Sequence, residues 1–231
     1  MRIEISRPRW LALLGAALVV VVALSAMEMH YPSDWLLENA LVVGVVVYLA
    51  ATYRCCPLSH GGYLIVLVFF CLHEIGAHST YAEVPYNEWW RALFGTTLNE
   101  PLGWQRNHYD RFVHFTYGLL ITYPIREQFL QAVRLRGFWS YALPAVIIAY
   151  TSTAYELIEW AAAVVFGGEL GVAYLGTQGD VWDAQRDTAL ASLGAIISMI
   201  LTAQLNRRCG RDFALEFADR ERRPELPPEA A

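Results

Sequence analysis

Ten acids and histidines recur along this chain, most of them in pairs at helical spacing: His73, Glu74, His78, Asp110, His114, Glu156, Glu159, Asp180, Asp183 and Asp187. Glu74 and His78 are four residues apart, as are Asp110 and His114, and Asp183 and Asp187. Glu156 and Glu159 are three apart, and Asp180 lies one turn before Asp183. Residues three or four apart share a helix face. Two carboxylates on one face repel each other unless a proton or a cation lies between them. Carboxylates mixed with imidazoles suit a divalent metal such as zinc, manganese or magnesium. His73, Glu74, His78, Asp110, His114, Glu159 and Asp180 are therefore the candidate metal ligands. Glu156, Asp183 and Asp187 are the candidate catalytic acids, one of which would activate water beside the ion.

Each residue also has a plainer role open to it. Asp180 suits a helix N-cap and Asp183 a helix start. Arg111 can neutralise Asp110, and Arg186 can neutralise Asp183 or Asp187. Glu156 and Glu159 can form a buried network that fixes helix packing. A lone His73 or His78 near a helix end is more often structural than a ligand. The run 176–179, Gly-Thr-Gln-Gly, can hold an anion on its backbone N–H groups. There is no phosphate-cradling Gly-rich loop and no Gly-x-Ser-x-Gly elbow.

The elements that must carry these residues are apolar. Hydrophobic residues make up 56% of the 231 and charged residues only 17%, against about a quarter in soluble domains. Apolar segments at 10–27, 35–53, 63–77, 109–129, 139–166 and 182–205 each approach the ~20 residues that a bilayer crossing requires. The expected fold is all-α: a polytopic membrane bundle of about six transmembrane helices, one domain over 1–211. A tail over 212–231 follows, disordered at its Pro- and Glu-rich end. The first segment follows Arg2, Arg7 and Arg9, and Ala23-Leu24-Ser25 resembles a cleavage site. The segment is longer than a usual signal core and is read as an uncleaved helix.

All seventeen basic residues are Arg. With the N-terminus in the cytoplasm, Arg54, Arg126, Arg134, Arg136, Arg207, Arg208 and Arg211 fall on the inside, with few Arg outside. Both termini are then cytoplasmic, in a bacterial inner membrane. This orientation brings all ten residues to the outer level. The opposite halves of the helices are expected to carry almost no polar residues. The outer stretch 79–108 holds Tyr81, Tyr86, Trp89, Trp90 and Trp104, which suit the headgroup zone, and 87–94 can form a short surface helix. A net charge of −5 argues against nucleic acid. Cys55, Cys56, Cys71 and Cys209 make no zinc-type spacing.

Three stretches resemble the YjdF-like bacterial inner-membrane proteins. They are His73-Glu74-Ile75-Gly76-Ala77-His78-Ser79-Thr80-Tyr81-Ala82-Glu83-Val84-Pro85, Tyr109-Asp110-Arg111-Phe112-Val113-His114-Phe115, and Tyr155-Glu156-Leu157-Ile158-Glu159-Trp160 with the later Leu175-Gly176-Thr177-Gln178-Gly179-Asp180-Val181-Trp182-Asp183-Ala184-Gln185-Arg186-Asp187. The resemblance implies a multi-pass inner-membrane protein and brings no activity with it. More distantly, Asp110, His114, Glu156 and Asp180-x-x-Asp183 are similar to the pattern of VanZ-like membrane proteins, with Arg111 in place of a Lys and Asp187 in place of an Asn.

The expected partner is the lipid bilayer, and the leading expectation is a divalent-metal site acting on a lipid or cell-envelope small molecule. The alternatives are a proton- or ion-coupled transporter and a non-catalytic scaffold with a structural polar network.

Overall fold

The computed structural model describes residues 5–29, 31–166 and 177–222. Arg2, Gly176 and the end of the tail from 223 lie outside them. The described residues form α1 (Arg7–Ser25), α2 (Pro32–Thr52), α3 (His60–His78), α4 (Tyr86–Phe94), α5 (Asn99–Leu102), α6 (Tyr109–Ala132), α7 (Trp139–Phe166), α8 (Asp183–Cys209) and α9 (Phe213–Glu221). No strand occurs among the described residues.

The chain is a polytopic helical membrane protein. Four helices, α1, α2, α3 and α8, are long and apolar enough to cross a bilayer. The 24-residue α6 and 28-residue α7 are each longer than α1, α2 and α3 but carry ionisable side chains. Leu13, Val19, Val20, Val43, Val47, Val164 and Val165 are exposed. In water such a surface would be unstable; in lipid it is the expected exterior.

Local sequence sets the helix ends. Pro8 and Pro32 stand in first turns, where a missing N–H is no loss. Ser59 caps α3 by accepting the Gly62 N–H at 3.0 Å. Gly210, at φ +63°, closes α8 in the left-handed conformation.

α6 is the hub, packed against α3, α7, α8 and α9. The α6–α8 crossing is made by small residues. A Cβ on Gly118 would lie 1.9 Å from the Ala191 carbonyl oxygen, and one on Gly194 would lie 2.2 Å from that of Phe115. With little hydrophobic drive inside lipid, such close backbone approach is a main source of helix association. A second core, Val42, Tyr63, Val66, Phe69, Phe70 and Val113, joins α2 and α3 to α6.

The end of the bundle where α3 and α7 finish and α6 and α8 begin collects the acids. The opposite end corrects one expectation, since it too holds buried polar residues: Arg126, Glu127, Gln128 and Gln131. Each has partners. Arg126, wholly buried, donates to Asp212 at 2.9 and 2.5 Å and to the Ser140 carbonyl at 3.1 Å, with its guanidinium 4.1 Å from the Tyr141 ring. Glu127 accepts from the Ser59 N–H and hydroxyl at 2.9 and 2.6 Å. The Arg126–Asp212 contacts dock α9, which Asp212 caps, against α6, and the Glu127 contacts tie the start of α3 to α6. Polar side chains there close the bundle.

Candidate functional site

The acid-rich end is built from α6 and α8, whose first turns lie side by side. Asp110, Asp183 and Asp187 each place a carboxylate oxygen within 4.8 Å of the other two. Asp187 is 1% exposed, and its Oδ1 has no hydrogen-bond partner. His114, one turn below Asp110, holds its Nε2 3.6 Å from Asp110 Oδ1 and 3.3 Å from Glu156 Oε1. The second approach lacks hydrogen-bond direction, so Glu156 Oε1 is another buried oxygen without a partner. His114 Nδ1 lies 3.3 Å from the Ser152 hydroxyl on α7.

Arginines bracket one side of this group. Arg106 reaches Asp183 at 2.6 and 3.3 Å and the Thr177 carbonyl at 3.0 Å. Arg111 bonds Asp180 and lies 3.2 Å from Asp183 Oδ1. Arg186 bonds Asp180. Arg111 and Arg186 thus pair with Asp180, and Arg111 also with Asp183, and not with the partners expected from spacing. Asp180 does not cap α8, whose N-cap is Trp182; it accepts the Trp182 N–H at 3.0 Å. That bond, with Arg111 and Arg186, holds the Asp180 carboxyl below its ordinary range.

Beside this group a cavity of about 370 Å³ opens between α2, α3, α6 and α7. His73, Tyr81, Asp110, His114 and Glu159 line its polar part; Leu41, Val45, Phe69, Val113 and Ile158 line much of the rest. The His73 Nε2 lies 3.3 Å from the Glu38 carbonyl, a pure acceptor, so this nitrogen carries the hydrogen. Its Nδ1 then accepts from the Tyr81 hydroxyl at 2.6 Å. Glu38 is fixed in turn by the Tyr155 hydroxyl at 2.8 Å.

Comparison with known proteins shows the family. Residues 10–208 match the model of a family described as "Predicted membrane protein (DUF2238)". The chain belongs to this family. The inner membrane protein YjdF of Escherichia coli (strain K12) is 35% identical over 199 residues, covering 86% of this chain and 91% of that protein. The protein is thus an inner-membrane protein. No solved structure matches.

Within this family member, the ten residues singled out by spacing fall into three places. Asp110, His114, Glu156, Asp183 and Asp187 meet at the α6–α8 end. His73 and Glu159 line the cavity beside it. Glu74 and His78 are turned to α1: Glu74 bonds the Ser25 hydroxyl, and His78 Nδ1 lies 2.9 Å from the Ser25 carbonyl. Asp180 is taken up by arginines.

Spacing missed Glu38 and Asp34, both buried on α2. An acid interrupting the apolar run 35–53 was the available signal for Glu38. Tyr81 and Tyr86, expected in the headgroup zone, both turn inward. Tyr86 donates to Asn99 Oδ1 at 2.8 Å and accepts the His108 N–H at 3.0 Å. Trp89, Trp90 and Trp104 stay exposed. In the 176–179 run, Gln178 exchanges hydrogen bonds with the Asn107 backbone at 2.9 and 3.1 Å.

Proposed function

We propose that Asp110 and Asp187, with Asp183, form a divalent-cation site beside His114 that acts on a lipid or cell-envelope amphiphile. The observation that carries this reading is the Asp187 Oδ1: a buried oxygen without a partner, set among two further carboxylates. Leaving such charge bare inside a bundle is expensive, roughly 2.5–3.5 kcal/mol per acid at a helix centre. A cation removes that penalty.

The donor set decides the kind of ion. The three grouped ligands are all oxygens, which favours magnesium or manganese over zinc. Arg106 and Arg111 already bridge Asp183, so Asp110 and Asp187 are the stronger donors. A divalent ion held there supplies Lewis-acid activation of a phosphoryl oxygen or of water. Glu156 and His114 then serve as the nearby proton acceptors. The apolar part of the cavity fits the chain of a membrane amphiphile, whose head lies at the acids.

Elemental mass spectrometry of purified protein, after reconstitution with manganese or magnesium, tests this. The wild type should retain one ion per chain and Asp187→Ala should lose it. Absence of any ion in reconstituted wild type would reject the reading.

A proton-coupled role is favoured by a separate observation. Asp34 Oδ1 and Glu74 Oε1 are buried and unpartnered, near Glu38, and Glu38 connects to the cavity through Tyr155 and His73. In that case a pH gradient across liposomes should drive uptake that Glu38→Gln abolishes.

A further inference from the structure

The charges around the cavity do not balance. Asp110, Glu156, Glu159, Asp180, Asp183 and Asp187 crowd this end of the bundle and face three guanidiniums, Arg106, Arg111 and Arg186. All three arginines are spent on Asp180 and Asp183, away from the cavity. His114, even when charged, supplies one more positive charge, between Asp110 and Glu156. Among the described residues that line the cavity are two carboxylates, Asp110 and Glu159, and no arginine.

The remaining lining is apolar and aromatic. Phe69, Tyr81, Tyr117 and Tyr155 all contribute. Aromatic ring faces carry partial negative charge and attract cations, most strongly where water is excluded. With no metal ion bound, an anionic headgroup entering here would meet two carboxylates with no guanidinium beside it. A neutral amphiphile would bring no charge to either acid. An inorganic ion alone would have no use for the apolar length.

We propose that this cavity binds an amphiphilic organic cation, an apolar or aromatic body bearing one positive charge, with Glu159 as its counter-ion. The inference goes beyond the metal reading and does not require it. Asp110 is shared between the two sites, whereas Glu159 belongs to the cavity. The charge sits at the polar end, among Tyr81, Asp110 and Glu159, and the body fills the space bounded by Leu41, Val45 and Phe69.

Equilibrium dialysis against protein in lipid nanodiscs, with empty nanodiscs subtracted, tests this using two ions of similar shape and opposite charge, tetraphenylphosphonium and tetraphenylborate. The cation should bind saturably, one per chain, and the anion should not. Glu159→Gln should weaken cation binding at least tenfold, and Ala154→Trp, which fills the cavity, should abolish it. Equal binding of both ions, or a cation signal no greater than that of empty discs, would overturn the proposal. Undiminished binding to a folded Glu159→Gln protein would do the same. If Glu159→Gln does not fold, the comparison of the two ions on wild type decides. Metal content is measured on the same samples. Cation binding without metal keeps this inference and removes the metal site; metal without cation binding does the reverse.

Discussion

Tyr81 reaches His73 only because three residues permit it. Thr80 and Tyr81 both adopt positive φ, +47° and +53°, which side chains beyond glycine seldom tolerate. Gly76 supplies the space, since a Cβ there would fall 2.4 Å from the Tyr81 ring. Strain of this kind, about 1–3 kcal/mol per residue, persists where the surroundings enforce it and clusters at functional sites. Tyr81→Phe leaves His73 Nδ1 without its donor, and a thermal melt should report a loss of about 1–3 kcal/mol. Gly76→Ala should be worse, because the ring itself must leave. None of this was legible in the sequence. A tyrosine in an aromatic-rich stretch reads as an interface residue, and hydropathy holds no record of backbone sign. The i,i+4 pairs Asp110–His114 and Asp183–Asp187 were legible, because helical periodicity alone puts each pair on one face. Spacing along α3 could not say that Glu74 and His78 turn towards α1 while His73 turns to the cavity. That depends on which neighbour each face meets.

At the scale of elements, the long helices overlie the apolar segments read from composition, because length and hydropathy are local properties. The α6–α8 contact was hidden. It rests on the absence of side chains at Gly118 and Gly194, and glycine in an apolar run carries no direction. Gly118→Ala drives a methyl group into the Ala191 carbonyl, a backbone atom that cannot rotate away. It should destabilise by at least the ~1–3 kcal/mol usual for overpacking, seen as a lowered melting temperature, and should loosen Asp110 from Asp183. Around Gly15 on α1, an added methyl group would meet nothing within 4 Å. Gly15→Ala should leave stability unchanged or raise it by about 0.5–1 kcal/mol. The short α9 also escaped notice, being nine residues long and rich in charge.

For the molecule as a whole, the Arg distribution proposes that both ends of the chain face the cytoplasm. Cys55 and Cys209 are exposed at the end opposite the acids. A membrane-impermeant maleimide should label them in inverted vesicles and not in intact spheroplasts; the reverse pattern would turn the topology over. That same end has an acid-sensitive latch. Burial disfavours the Asp212 charge, but hydrogen bonds from Arg126, the Leu215 N–H and Tyr141 outweigh it and set the carboxyl below its ordinary value. The latch is therefore fully engaged above the unfolded aspartate value of about 3.9 and weakens as pH falls through the lower folded value. Melting temperature should drop on acidification below about pH 4, and Asp212→Asn should lose several kcal/mol at neutral pH, as buried pairs do when one partner goes (~3–5 kcal/mol). The latch also bears on the order of biosynthesis. Arg126 must wait 86 residues for Asp212, and Arg7 on α1 waits 214 for Glu221 on α9. Until the ribosome has made α9, the nascent bundle carries an unpaired guanidinium at its hub. A chain stalled before Asp212 therefore holds at its hub a charge that the completed protein neutralises.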